Sequence, residues 1–451
     1  MKTKLLLMLV TISMSMGVQA QNANNFTLQQ CIDYSLQNYN DVKNAELDVL
    51  SANAKVGEIR GIGLPQLTGN ASLIDNPELS RLFLKGDNQL FAGAPVNPNE
   101  VYALPNLFQL RSSGDANLML SQILFDGSYL VGVKAANVYR DLAKKSLTAT
   151  KIDVVENVTK GYYMVLINQE QLKLVQANID RLDTLLQQTK ILNEQGFVEG
   201  IDVNRIEVAK NNLMAERTKF HKVNEVTYLL LKFQMGMPLN DSLSLSGTIK
   251  DVQIQSLITN DVPNPEARIE YSILKTQKDL MALDIKNNKM KYMPSLVGFA
   301  KTGYTRSDVD LSSVIKNHWY SYTNWGLSLR VSILEGGSKN YRLKQAKYQY
   351  AKAENNLKQF NNVVDLQVKQ TESTLKNEIE NLDIMKRNLE LANEVVRVSK
   401  IKYKAGSGSN IEVIDAENSF KTSQTNYYNA MYAVMIAKIN HNKATGKLYQ
   451  E

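Results

Sequence analysis

Cysteine, histidine and proline are all scarce in this chain of 451 residues, which has one Cys, three His and nine Pro. A single cysteine excludes an intrachain disulfide and any cysteine-cluster zinc or iron–sulfur site. His221, His318 and His441 stand far apart and offer no shared metal site. An excess of one charge is lacking too: 52 Lys+Arg against 45 Asp+Glu leave +7, with no basic block of the kind that tracks nucleic acid. Neither a G-x-S-x-G elbow nor an H-E-x-x-H helix occurs, and Gly406-Ser-Gly-Ser-Asn410 lacks the spacing of a phosphate loop. The chain therefore reads as no enzyme and no nucleic-acid binder, with no catalytic residue, cofactor or metal expected.

No apolar run reaches the roughly 18 residues of a membrane helix. What the N-terminus does carry is an address. Lys2 and Lys4 precede the apolar Leu5 to Val10, and Val18-Gln19-Ala20 follows. That order predicts a secretory signal over residues 1–20, cut after Ala20. Cys31 lies too far past the cut to anchor a lipid and is expected to be buried in the first helix.

Proline-free tracts run over 106–237 and 295–451. Proline removes a helix hydrogen bond and clashes with the preceding turn, so such tracts can hold very long helices. In the first, Leu172, Val175, Ile179, Leu182 and Leu186 step by three and four. Leu382, Met385, Leu389, Ala392 and Val396 do so in the second. This spacing is the seam of packed long helices. One helix from about Ser128 to Leu192 would be roughly 100 Å long.

The two tracts repeat. Gly196-Phe-Val-Glu-Gly-Ile-Asp-Val-Asn-Arg-Ile-Glu207 aligns without a gap on Gly406-Ser-Gly-Ser-Asn-Ile-Glu-Val-Ile-Asp-Ala-Glu417. Ile123-Leu-Phe-Asp-Gly-Ser128 resembles Ile333-Leu-Glu-Gly-Gly-Ser338, and Leu64-Pro-Gln-Leu67 falls on Met293-Pro-Ser-Leu296. An internal duplication is the economical reading. It gives a first repeat over 21–235, a linker over 236–265 and a second repeat over 266–451. The first repeat carries extra residues within 75–113, which hold four prolines and read as a long loop. Its counterpart, 306–323, is short.

Each repeat has two expected strands: Gln66 to Ile74 and Ala116 to Leu124, then Ser295 to Tyr304 and Trp325 to Ile333. In the last, Trp325, Leu327, Leu329, Val331 and Ile333 alternate with Gly, Ser, Arg330 and Ser. Leu118 and Leu120 mark the matching face earlier, with Gln122 intruding. Such alternation suits a strand with lipid on one side and water on the other, and equally a half-buried strand of a soluble sheet. Four strands cannot close a barrel around a pore, whereas three copies would supply twelve.

The order of helix, strand, loop, strand and two long helices, repeated after a signal, resembles the TolC family of outer-membrane efflux proteins. Leu64-Pro-Gln-Leu67, Phe125-Asp-Gly-Ser128 and Tyr403-Lys-Ala-Gly with Ile411-Glu-Val-Ile-Asp-Ala416 carry the likeness, which covers nearly the whole chain. It implies a mainly α fold with a small β part: a homotrimer, with a twelve-stranded barrel in outer-membrane lipid continued by a tunnel of twelve long helices. Its implied role is the exit duct of a tripartite system, with a periplasmic adaptor and an inner-membrane transporter as partners. The lipid face would comprise Leu118, Leu120, Trp325, Leu327, Leu329, Val331 and Ile333. The helix-turn tips would lie at Gly196 and Gly406. The resemblance also implies a constriction there, with Glu412 and Asp415 as a carboxylate ring and Tyr403 and Asp202 as a latch. Gly408 stands where a member of the family has an arginine, so no latch salt bridge is expected from this turn.

The residues alone give Glu412 a plainer role, which explains Asp415 less well. Ser409-x-x-Glu412 is a capping box, and acids in a first turn complement the helix dipole. A water-soluble periplasmic coiled-coil scaffold or adaptor is the alternative to the duct.

Overall fold

The computed structural model describes residues 25–91, 93, 95–106, 108–249 and 262–449. The expected signal segment lies outside them, as does 250–261 of the expected linker. The described chain opens with β1 (Asn25–Phe26), α1 (Leu28–Asn38) and α2 (Asn40–Ile62), then β2 (Gln66–Asp75), β3 (Arg81–Lys85), β4 (Val101–Pro105) and β5 (Ser112–Phe125). Two long helices follow, α3 (Gly127–Glu194) and α4 (Gly200–Met235), and a short strand, β6 (Ser244–Leu245). The order then recurs as α5 (Ile269–Met290), β7 (Ser295–Asp308), α6 (Leu311–Lys316), β8 (Tyr320–Arg330), α7 (Ser338–Lys404) and α8 (Asn410–Ala444).

Local chemistry sets the ends of these elements. Thr27 and Gln30 form a reciprocal capping box on α1 (3.3 and 2.9 Å). Asp126 Oδ1 accepts the Tyr129 N–H at 2.9 Å and starts α3, which runs 68 residues without proline. Gly196 and Gly406 end α3 and α7 at φ +79° and +74°. In each turn the next N–H reaches back five residues, Phe197 to Leu192 O (2.9 Å) and Ser407 to Lys402 O (3.0 Å). This is the Schellman closure, which favours glycine because a left-handed residue with a Cβ is strained.

The chain divides into two compact units. One comprises the residues up to Leu50, Leu142–Thr276 and Glu354 onward; the other comprises Ser51–Asp141 and Gln277–Ala353. Each expected repeat contributes to both. In the first unit Cys31, Val158, Val165, Leu231, Met235 and Val434 share one core. Of the expected seams, Val175, Ile179, Leu182 and Leu186 pack together and Leu382 and Val396 are buried, whereas Leu172, Met385, Leu389 and Ala392 are half-buried. Burying such stripes supplies most of the stability of long helices, at about 25 cal/mol per Å² of apolar surface. β1 and β6 pair in parallel, Asn25 opposite Ser244, a contact absent from the expectations.

The second unit is built on an antiparallel sheet in the order β2-β5-β7-β8. All four expected strands form, with altered ends. β8 begins at Tyr320 and stops at Arg330, so Val331 and Ile333 fall outside it. Ser295 is the last partner of Arg330, and Pro294 before it has no N–H to extend the ladder. The stretch expected as the loop 306–323 shrinks to 309–319, holding the short helix α6. The longer segment 75–113 is no plain loop: β3 and β4 pair antiparallel within it, Phe83 opposite Ala103.

Candidate functional site

Register sorts the sheet into two chemically distinct faces. Leu67, Leu120, Ala300 and Trp325 form one row across the four strands, and Leu118 and Leu327 lie on the same side. Side chains two apart share a face, so Leu329 and Leu296 belong to it as well. Trp325 is 84% exposed and Leu327 68%. Leu118, Leu120 and Leu329 are also exposed, as are Val331 and Ile333 beyond the strand. Trp325 stands in the middle of β8, not at an end. Gln122 interrupts the apolar face, opposite Gly298.

The other face carries a polar cluster around Asp115, with Met119, Ile123, Val297 and Phe299 on the same side. Tyr322 Oη donates to Asp115 Oδ2 at 2.7 Å, Lys301 Nζ stands 3.9 Å from Asp115 Oδ1, and the same ammonium lies over the Tyr322 ring at 5.3 Å. Asn117 donates to Asp115, and Asn70 donates to Asn117 at 3.4 Å. β2 and β8 each have a neighbour on one side only, leaving two open edges. Strands of 10 to 14 residues are long enough to cross a bilayer.

At the helix tips, Ser409 Oγ accepts the Glu412 N–H at 3.3 Å. Glu412 in the first turn of α8 and Asp415 in the second are both exposed. Tyr403 and Asp202 do not bond each other. The Tyr403 hydroxyl lies 3.3 Å from Thr189 Oγ1, and the Asp202 carbonyl accepts Asn410 Nδ2 at 2.9 Å. The Asp202 carboxylate sits 3.5 Å from Arg205 Nη1. Both contacts made by Tyr403 and the Asp202 carbonyl join the α3–α4 pair to the α7–α8 pair.

Further ties between the pairs were not foreseen. Glu417 is buried, with Arg181 Nε at 3.3 Å from α3 and Lys400 Nζ at 2.5 Å from α7. These are ionic contacts without hydrogen-bond alignment. Arg181 also lies over the Phe420 ring, 4.8 Å from its centroid. Lys421 Nζ meets Glu216 at 2.6 Å, and Asn178 donates to Gln424 at 3.2 Å. Far from the tips, Lys443 Nζ is 2.6 Å from both Asp153 and Glu156. Burial pushes the Glu156 carboxyl up, but donation from Lys160 and Lys443 outweighs this and holds it below the usual range. One signal in the sequence pointed to Glu417. It occupies the stripe Val413, Ala416, Glu417, Phe420, Gln424, whose spacing marks a covered face.

Among the described residues no cluster of His, Cys, Asp and Glu could hold a metal ion, and no helix is long and apolar enough to cross a membrane. A sheet with one exposed apolar face, in a chain that also has helices of 67 and 68 residues, defines the class: a protein that combines strands suited to a bilayer with very long packed helices. Residues 31–222 and 278–447 match the family described as outer membrane efflux protein, and the chain belongs to that family. It is similar to outer membrane protein TolC of Vibrio cholerae, 22% identical over 375 residues, spanning 82% of this chain and 84% of that one. Among solved structures its fold resembles VceC of Vibrio cholerae (TM-score 0.69, 13% identity, 93% and 96% of the two chains). The same holds for CusC (TM-score 0.73, 16% identity, 93% and 91%). The protein is thus a TolC-family outer-membrane exit duct that reaches into the periplasm, and its relatives are channels rather than enzymes.

Proposed function

We propose that three copies assemble into one duct, each adding β2, β5, β7 and β8 to a twelve-stranded barrel and its long helices to a twelve-helix tunnel. The observation that carries this reading is the sheet with two open edges and one exposed apolar face. Edge strands left bare invite pairing, and β8 of one copy beside β2 of the next satisfies both edges at once. The apolar row then faces lipid and the polar row faces water. An internal duplication is supported by the turns at Gly196 and Gly406, whose hydrogen bonds repeat 210 residues apart.

The duct performs no chemistry. An inner-membrane transporter supplies cargo and a periplasmic adaptor docks the two, as in tripartite efflux. At the tips, Glu412 and Asp415 from three chains gather six carboxylates around one axis, a mouth that attracts cations. Tyr403, the Asp202 carbonyl and Glu417 hold the two helix pairs together, and the mouth widens when the pairs part.

Native mass spectrometry in detergent tests the assembly and is expected to give a trimer; a monomer would end the reading. Planar-bilayer recording of Glu412→Gln/Asp415→Asn tests the mouth. Cation selectivity should fall in the double variant. Unchanged selectivity would return both acids to helix capping.

A further inference from the structure

A cavity of about 300 Å³ opens where the sheet gives way to helices, at the start of β7, the end of β8 and the starts of α3 and α7. Its lining carries four cations, Lys291, Arg330, Lys339 and Arg342, against two carboxylates, Asp126 and Glu335. Both acids are engaged. Asp126 accepts the Tyr129 N–H, and Glu335 accepts from Ser332 and pairs with Lys339 at 3.3 Å. Lys339 also donates to the Lys291 carbonyl at 2.7 Å and lies over the Tyr292 ring. Arg330 and Arg342 make no hydrogen bond or ion pair among the described residues. The Arg330 fork is left without a partner, and Arg342 feels the charge of Glu335 without bonding to it, in a cavity whose lining carries a positive excess of two charges per chain.

Register gives the side on which this cavity lies. Arg330 pairs with Ser295 and shares a face with Ser328, Asn324 and Tyr322, the face that also holds Lys301. Ser332 lines the cavity, whereas Val331 and Ile333 are exposed away from it. Resting on the trimeric-barrel reading, we infer that these residues form an anion-binding station on the inner wall of the duct. It takes solutes bearing a phosphate- or sulfonate-type oxyanion. A planar guanidinium matches two oxygens of such a group at once, and a pair of them selects it over a monovalent halide. Three stations around the axis would draw anionic cargo out of the helical tunnel and into the barrel. The volume sits at the lower end of small-ligand sites, enough for one oxyanion group and its immediate substituent.

The test uses the full-length protein in a planar bilayer, with inorganic pyrophosphate as the probe. Wild type is compared with Arg330→Gln/Arg342→Gln, and with Lys352→Gln/Lys358→Gln, which removes two cations outside the cavity. Pyrophosphate is expected to reduce the wild-type and control currents alike. The concentration for half-block should rise about tenfold or more in the arginine variant, and its reversal potential in a KCl gradient should move toward cation preference. Equal block in all three proteins would overturn the inference. A variant that instead loses co-purified phospholipid phosphorus while keeping its block would place the arginines against lipid headgroups, and would overturn the inner-wall siting. Channels absent from every protein would overturn the barrel reading, and the station with it.

Discussion

Glu417 is the residue whose loss should be felt most at the helix tips. Its carboxylate is buried between Arg181 and Lys400, each about a third exposed. Removing one partner of a fully buried ion pair costs about 3–5 kcal/mol, because an uncompensated charge remains. Here the cations reach water and the contacts lack hydrogen-bond alignment, so about 2 kcal/mol is the proper expectation for Glu417→Gln. The two contacts have different consequences. Arg181–Glu417 ties α3 to α8, across the helix pairs, whereas Lys400–Glu417 ties α7 to α8, within one pair. If the pairs part when the mouth widens, only the first tie is broken in the open duct. Glu417→Gln and Arg181→Gln should then raise the open population by about fivefold, the equivalent of the roughly 1 kcal/mol carried by the first of the two ties. Lys400→Gln should weaken the fold without opening the channel. Single-channel recording reads the open population, and denaturant unfolding in detergent reads stability, with an Arg181/Glu417 double-mutant cycle to isolate the pair. Equal channel opening in Lys400→Gln and Arg181→Gln, or a cycle additive to within about 0.5 kcal/mol, would refute the reasoning.

Other outcomes follow from particular groups. Glu156 has its pKa held below the ordinary value by Lys160 and Lys443, against the upward push of burial. Its stabilising contribution is therefore full above about pH 4.5 and is lost as pH falls through the lower folded value. Glu156→Gln should flatten the acid limb of a stability–pH profile, and an unaltered limb would contradict this. Cys31 is fully buried, with its thiol pushed up to about 12. A maleimide at neutral pH should label it only after denaturation; rapid labelling of the folded protein would refute its core placement. Gly236 ends α4 at φ +70°, where an added Cβ would come within 2.7 Å of the Asn38 carbonyl oxygen. Gly236→Ala should cost on the order of 1–3 kcal/mol in unfolding free energy, and a neutral substitution would mean the turn can relax.

The features legible in the sequence are those fixed by local pattern. A proline-free tract with a three-and-four seam gave the extent of α3 to within a turn, and glycine marked both tips because a left-handed residue there tolerates little else. Alternation placed Leu118, Leu120, Trp325, Leu327 and Leu329 on one face, as the register does. Illegible were the features that depend on a distant partner. β8 ends at Arg330 because Pro294 terminates its neighbour, which alternation within β8 cannot disclose. Arg181 and Glu417 meet across 236 positions of chain, and β1 meets β6 across a similar gap. The β3–β4 hairpin was hidden by prolines that bracket its strands, since Pro105 closes β4 and the remainder lie in the bends.

The open edges of β2 and β8 set a time limit on the single chain. Until neighbours arrive, each subunit presents two bare rows of backbone groups beside an apolar surface, the combination that seeds irregular edge-to-edge stacking. If closure takes three subunits, as proposed, its rate rises steeply with subunit concentration, whereas wrong pairing needs only two. The yield of finished ducts is then a race between two orders of reaction. Supply of the chain and the holding of its strands in transit govern the outcome as much as the stability of the finished trimer does.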